Sequence, residues 1–528
     1  MARPLSAPGT PSSRLAIGVA ALAVVVYAGT LANGFAWDDM PIVADNTLVH
    51  HASGLWRAFA TPYWPPAMGG YLYRPLVVAT YTLDWLVAGG GHAWWFHGVN
   101  VVWHAGASAA VAFLTRRWAG NAAGWIAGAL FAVHPVHVEA VANVIGRAEL
   151  MAAVFSILAV WLAVERDSLS GNALAWTLAL LAKENAAVVP ALIGAAWLLG
   201  LRRPPPPPRR IASYVAVWCA IGIEYALVRH TVFGPYPVSS GMAVVFLDQS
   251  WLTVRLTAVA ALADVARLLA FPLTLRADYS PNERSAVTGL GEPRFLAGLA
   301  CLAVWATLLW LLWRRDRRVE ALGVAWIGIA LAPVTNLFFP VGVLVAERTL
   351  YLPSVGLTLA VGSWLGTWWA GAGSRARRIV GPVIVATVLA GGLRSALRVP
   401  VWESTETVYQ SVLRDSPRSY FGPMVDARYA EREGRYADAL EGFRRASRIL
   451  PADTRLSLRA AELAYRLGRP VLADTLLAHI DSTCVHCQTF FEAAAIEARS
   501  RGEAAWADAL LRHLAALQAR RAAAAGKR

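Results

Sequence analysis

Charge is scarce in this chain: Asp, Glu, Lys and Arg make up 16% of its 528 residues, against 57% hydrophobic residues. That balance excludes a soluble globule and points to a polytopic membrane protein. Cysteine is almost absent, at four residues, so no disulfide scaffold is expected, and Cys219 and Cys301 fall in apolar runs as packing residues. Neither a P-loop nor a dinucleotide fingerprint occurs, which leaves no sign of a soluble nucleotide site. The repeated halves common among carriers are also missing. The apolar run Leu15 to Phe35, preceded by Arg3 and Arg14, lacks a convincing small-x-small cleavage site. It is expected to be a retained anchor, with a cleaved signal peptide as the alternative.

What charge there is clusters. The formal charge of +14 comes from arginines grouped at Arg116-Arg117, Arg166, Arg202-Arg203 with Arg209-Arg210, Arg314 to Arg318 and Arg375 to Arg378. Set between apolar runs, they mark cytoplasmic loops rather than a nucleic-acid partner. The spans then fall near 15–35, 94–115, 119–138, 149–165, 171–182, 186–201, 211–230, 295–313, 320–339, 350–369 and 379–397, about 11 crossings. An odd count from a cytoplasmic N-terminus puts the C-terminus outside. The segments 75–88 and 251–272 carry Asp84, Arg255, Asp264 and Arg267, so both are expected in the interface or lining a cavity. The short span 171–182 leaves Lys183-Glu184 at the outer side, and Pro204 to Pro208 reads as a stiff linker.

Beyond residue 400 the composition turns to Ala, Arg, Glu and Leu with helical periodicity. Gly434, Gly468 and Gly502 are spaced by 34, as are Ala439, Ala473 and Ala507, and Pro417 and Pro451. This is the period of tetratricopeptide helix pairs, with Gly in the turn and Ala at the close approach. The predicted organisation is all-α: a membrane domain over 1–400, about three repeats over 401–520, and a basic tail over 521–528.

Four polar clusters share the outer side in this topology. They are Trp37-Asp38-Asp39 with Tyr73-Arg74-Pro75-Leu76, His134 to Glu139 with Gly146-Arg147-Ala148-Glu149, Lys183-Glu184-Asn185, and Glu347 to Pro353. Charges near membrane level are costly, so their convergence around one outward cavity is informative. The plainer readings are a solvated loop for Asp38-Asp39 and local neutralising pairs for Lys183-Glu184 and Glu347-Arg348. His134, His137 and Glu139 are weak metal-ligand spacing, and no metal is assigned. Cys484-Val485-His486-Cys487 reads first as a local disulfide and second as zinc, with His479 and His486 as the nearby ligands.

The order of Trp-Asp-Asp, Tyr-Arg-Pro-Leu, Phe96-His97-Gly98-Val99-Asn100 with His104, His-Pro-Val-His-Val-Glu-Ala-Val through Gly-Arg-Ala-Glu, Lys-Glu, Asp278-Tyr279-Ser280, and Glu-Arg-Thr-Leu-Tyr-Leu-Pro-Ser-Val-Gly resembles the transmembrane and tetratricopeptide repeat-containing O-mannosyltransferases. The resemblance covers nearly the whole chain, although this chain has few repeats. It implies a GT-C glycosyltransferase fold, a polyprenyl- or dolichyl-phosphate mannose donor, a Ser or Thr acceptor on a protein, and no other cofactor. It also implies a catalytic acid in the first outer loop, which is Asp38 or Asp39 here.

Asp38 is the expected base and Asp39 its support, because a carboxylate can take the acceptor proton as the new bond forms. Arg348 is the first choice for the phosphate, with Arg147, Arg74 and Lys183 next. His134, His137, Glu139, Glu149, Glu184 and Glu347 are expected to support them. Apolar grooves would take the lipid carrier and the repeats an extended protein acceptor, with the active site and repeats extracytoplasmic, as in a bacterial inner membrane. The rival readings are a transferase of the same fold acting on a lipid or cell-envelope glycan, and a transporter or assembly scaffold.

Overall fold

The computed structural model describes residues 12–65, 72–202, 204–234, 242–270, 272–483 and 487–525. Helix is the only extended regular element among them, as the absence of alternating strand patterns requires. Two units emerge: Met1–Gly241 with Leu252–Ala277 and Val287–Ser411, and a second of Met242–Trp251, Asp278–Ala286 and Val412–Arg528.

Among the described residues of the first unit, six helices are long and apolar enough to cross a membrane. They are Ser13–Ala32, Ala93–Ala119, Val144–Val164, Pro208–Phe233, Pro293–Arg314 and Ser374–Trp402. A seventh is broken, Asn121–Ala132 bending by 47° into Pro135–Ala142. The break has a local cause: Pro135 offers no N–H, and the residue before a proline is pushed to extended backbone, as His134 is at φ −66° and ψ 122°. Among the described residues, length and composition thus mark six or seven candidate spans. The helices Leu169–Ala182, Glu184–Leu198 and Arg318–Leu331 are short, and Tyr351–Gly371 is long but diluted by Gly, Ser, Thr and Trp.

Burial separates the helices. Val144–Val164 is 72% buried inside the fold, whereas Pro293–Arg314 is only 6% buried and turns Leu302, Trp310 and Trp313 outward. An apolar helix with an apolar exterior is matched to lipid, so the first is a central post and the second a peripheral one. Arginine-rich turns meet at one end of the unit: Arg117 pairs with Glu165 at 2.6 Å, Arg202 and Arg210 reach Asp167 at 2.8 and 2.9 Å, and Arg318 donates to the Gly200 carbonyl at 3.2 Å. The helix Arg147–Val164, 18 residues and about 27 Å long, runs from this end to the opposite one. Arg147 and Glu149 sit at its far end.

The second unit stacks helices Phe421–Arg432, Tyr436–Ile449, Thr454–Arg466, Pro470–Thr483, Cys487–Ser500 and Ala504–Ala525 as consecutive hairpins. Gly434, Gly468 and Gly502 close three turns at φ 76°, 70° and 80°, a left-handed backbone that penalises any Cβ. Ala439, Ala473 and Ala507 are buried where the helices approach. The loop 278–286 belongs to this unit. Its Asn282 N–H donates to the Arg418 carbonyl at 3.0 Å, Asp278 accepts from Ser280 and Ser419 hydroxyls at 2.6 and 2.5 Å, and buried Glu283 accepts from the Arg418 amide at 3.0 Å. Cys484 to His486 lie outside the described residues, as does the side chain of Cys487.

Candidate active site

The acidic loop after the first helix is held from several directions. Its Gly34 N–H donates to the Glu403 carbonyl at 2.8 Å, the His97 ring bonds the Gly34 carbonyl at 3.0 Å, and the Trp37 N–H donates to Thr405 Oγ1 at 2.8 Å. Trp37 sits at φ 51°, a strained conformation for an aromatic residue, with its ring edge-on to Tyr409. Strain of this kind persists only where surrounding contacts enforce it.

The two carboxylates then diverge. Asp39 is wholly buried and accepts three backbone N–H groups, from Ala36 at 3.1 Å, Val144 at 3.3 Å and Ile145 at 2.9 Å. Burial pushes its carboxyl up to about 7, with the three amides pulling the other way. Both oxygens are spent on tying the loop to the start of the central helix. Asp38 is partly exposed, and burial raises its carboxyl as well, opposed by Arg348 and assisted by Glu139. Asp38 is therefore the acid left facing cations and an opening.

Arg348 approaches from the turn before Tyr351–Gly371. Its guanidinium pairs with one oxygen of Glu139, its backbone N–H donates to the other at 2.8 Å, and its side chain remains 28% exposed. Glu347 points elsewhere, accepting the Arg276 N–H at 2.5 Å, so this dipeptide is not a local neutralising pair. The same holds for Lys183-Glu184. Lys183 pairs with Glu149, which also accepts from Asn185 Nδ2 at 3.2 Å, while Arg74 grips Glu184 at 2.7 and 3.0 Å. Burial works to raise the Glu184 carboxyl, but Arg74 and Lys183 hold it down at about 2. Burial lowers the Lys183 amine, against the pull of Glu149.

Arg147 is fully buried and committed to protein. It donates to Asn100 Oδ1 at 2.9 Å, Thr80 Oγ1 at 3.3 Å and the Phe96 carbonyl at 3.1 Å, pairs with Asp84, and lies 4.7 Å over the Tyr81 ring. Arg147 is thus saturated by protein partners, and Asp84, expected in the interface or lining a cavity, is its buried partner. Asn100, whose amide also donates to the Asn143 and Val144 carbonyls at 3.1 and 3.2 Å, was part of the Phe-His-Gly-Val-Asn pattern without a role. Its partners lie more than 40 residues away, which no local pattern encodes.

His134 bonds the Leu269 carbonyl at 2.9 Å and His137 bonds Ser354 Oγ at 2.7 Å, so both rings brace the broken helix. Among the described residues no group of three His, Cys, Asp or Glu side chains is placed to hold a metal ion. Gly146, at the junction of Asp39's anchor and Arg147, admits no side chain: a Cβ there would lie 2.1 Å from the Ala140 carbonyl oxygen. Gly146→Ala is expected to destabilise the protein by about 1–3 kcal/mol through overpacking, measurable as a lowered Tm in detergent.

Together these features define a polytopic membrane protein, all-helical among the described residues, with a carboxylate and arginine cluster at one end of its helices. The chain is distantly related over most of its length to protein O-mannosyl-transferases. It is 26% identical over 470 residues to protein O-mannosyl-transferase TMTC4 of Mus musculus, covering 77% of this chain and 62% of that protein. It is 25% identical over 509 residues to TMTC3 of Mus musculus (87% and 55%) and 27% over 517 residues to TMTC1 of Homo sapiens (84% and 57%). The chain thus spans about 55–62% of the length of these relatives. No family model matches it.

Proposed function

We propose that this chain is a membrane glycosyltransferase of GT-C type that moves mannose from a polyprenyl phosphate carrier to Ser or Thr hydroxyls of proteins. The observation that carries the reading is a partly exposed Asp38 lying in the field of a partly exposed Arg348 that is anchored by Glu139. A glycosyl phosphate needs a base for the incoming hydroxyl and a cation for the departing phosphate, and these two supply them.

The acceptor oxygen forms a bond to the anomeric carbon while the bond from that carbon to the phosphate oxygen breaks. Asp38 takes the hydroxyl proton, and polyprenyl phosphate leaves against Arg348 with inversion at the sugar. Asp39 positions Asp38 by clamping the loop. Beside Arg348, Thr349 and Leu350 border a small, mostly apolar crevice with Ala258, Leu262, Leu331 and Val334. Its lining suits contact with an isoprenoid tail. No cofactor beyond the lipid-linked donor is required.

The gathered arginines at the opposite end support an orientation with that end and the N-terminus cytoplasmic and the carboxylate and arginine cluster outside. Under this reading the short and Gly-rich helices complete the set of about 11 crossings, and the second unit is a tetratricopeptide-like solenoid that receives an extended protein acceptor.

The test is transfer by the purified full chain from labelled polyprenyl-phosphate mannose to Ser/Thr peptides and to cell-envelope glycans. Labelled peptide is expected; label in glycan alone would select the glycan-acting alternative, and label in neither would reject the transferase reading. The pH profile adds a sign. Asp38 must be ionised to accept a proton, so kcat/KM is expected to rise with pH through a midpoint above the ordinary carboxylate value of about 3.9. Asp38→Asn should remove that limb of the profile.

A further inference from the structure

A second polar group adjoins the Asp38 and Arg348 pair, and its charge balance sets it apart. Arg74 and Lys183 supply two cations, Glu184 and Glu149 two carboxylates, each cation closed onto its own acid. Such a cluster offers no excess charge to a phosphate, and its cations are less open than Arg348, at 11% and 8% side-chain exposure against 28%. What it does offer is hydrogen-bonding capacity.

The Tyr63 side chain is 2% exposed, its ring lies 5.0 Å from the Arg74 guanidinium, and its hydroxyl meets the Tyr81 hydroxyl. Tyr81 itself donates to the Val144 carbonyl at 3.1 Å. Asn185 is 3% exposed; its Nδ2 is used by Glu149, while its Oδ1 is unpartnered among the described residues. A buried polar atom without a partner costs about 1–3 kcal/mol, which natural folds tolerate where a ligand completes the bond. An unpartnered amide oxygen and a phenol hydroxyl with acceptor capacity to spare, beside a neutral ion-pair cluster, match a neutral polyhydroxylated group.

We infer that Tyr63, Asn185 and the Arg74–Glu184 pair form the subsite for the sugar ring of the donor, separate from the phosphate site at Arg348. The assignment rests on the proposed transferase reading and deepens it. Glu184, 31% exposed at its side chain, and Arg74, at 11%, form the open edge of the subsite. Planar Arg and carboxylate groups are suited to vicinal hydroxyls, which present paired donors and acceptors.

Tyr63→Phe removes one oxygen and leaves the ring packed on Arg74, and Asn185→Ala removes the unpartnered amide oxygen. The full chain in detergent should be titrated with polyprenyl-phosphate mannose and, separately, with bare polyprenyl phosphate, and KM measured for donor and acceptor. Each variant is expected to lose roughly tenfold in affinity for the sugar-bearing lipid and to raise the donor KM, with affinity for the bare lipid phosphate unchanged. Equal weakening toward both lipids, a rise confined to the acceptor KM, or no change in either variant overturns the subsite. Wild-type protein that binds neither lipid overturns the parent transferase reading and the subsite with it.

Discussion

Asp38→Asn is expected to lower transfer by about 10²–10⁴-fold while leaving a folded protein, because a general base contributes that much and asparagine cannot take the proton. The neighbouring change should behave in the opposite manner. Asp39 accepts from Ala36, Val144 and Ile145, so Asp39→Asn turns part of an all-acceptor group into a donor facing amide donors. A loss of stability of about 1–3 kcal/mol follows, with residual activity in the molecules that remain folded. Single-turnover transfer and a thermal melt on each variant, in the same detergent, separate the two roles. Activity retained in Asp38→Asn but lost in a fully folded Asp39→Asn would reverse the assignment. The geometry behind this contrast is simple: two adjacent acids on one loop cannot both face the same way, and backbone donors from the central helix's start claim one of them.

The same loop shows where sequence reading succeeds and where it stops. Trp37-Asp38-Asp39 is visible as an anomaly because acids after an apolar anchor need a reason, and the 34-residue glycine spacing is visible because each turn repeats one backbone requirement. Partners are another matter. Lys183 and Glu184 are consecutive, yet each pairs across the fold, Lys183 with Glu149 and Glu184 with Arg74. A helix break at Lys183, which adopts φ −160° and ψ 137°, aims the two side chains apart. Neighbouring side chains of an extended residue point to opposite sides, so local neutralisation fails here. Likewise Asp84 looks like a stray charge in an apolar helix until Arg147, 63 residues on, is brought beneath it. The loop 278–286 reads as a connection within the membrane domain, but its buried Glu283 and the Asp278 serine bonds make it part of the second unit. Long-range polar complementarity leaves no periodic signature, and the charged residues of this chain are its most long-range elements.

Arg147→Met provides the sharpest test of what such a buried cation does. Removing it leaves Asp84 as a nearly unexposed carboxylate and strips Asn100 Oδ1, Thr80 and the Phe96 carbonyl of a donor. Breaking one side of a buried pair typically costs about 3–5 kcal/mol, so little folded protein is expected. The double change Arg147→Met with Asp84→Leu removes both charges and should recover much of that loss, since an apolar pair of similar volume is often as stable as the ion pair it replaces. The double variant then distinguishes position from chemistry. If Arg147 acts by holding Asn100 and the segment that anchors Asp39, the refolded double variant retains measurable transfer with a pH profile still set by Asp38. If Arg147 instead contacts the donor phosphate, the double variant is stable yet loses affinity for bare polyprenyl phosphate. Full burial and saturation by protein acceptors favour the first outcome, because a guanidinium that already donates to four partners has little left for a ligand.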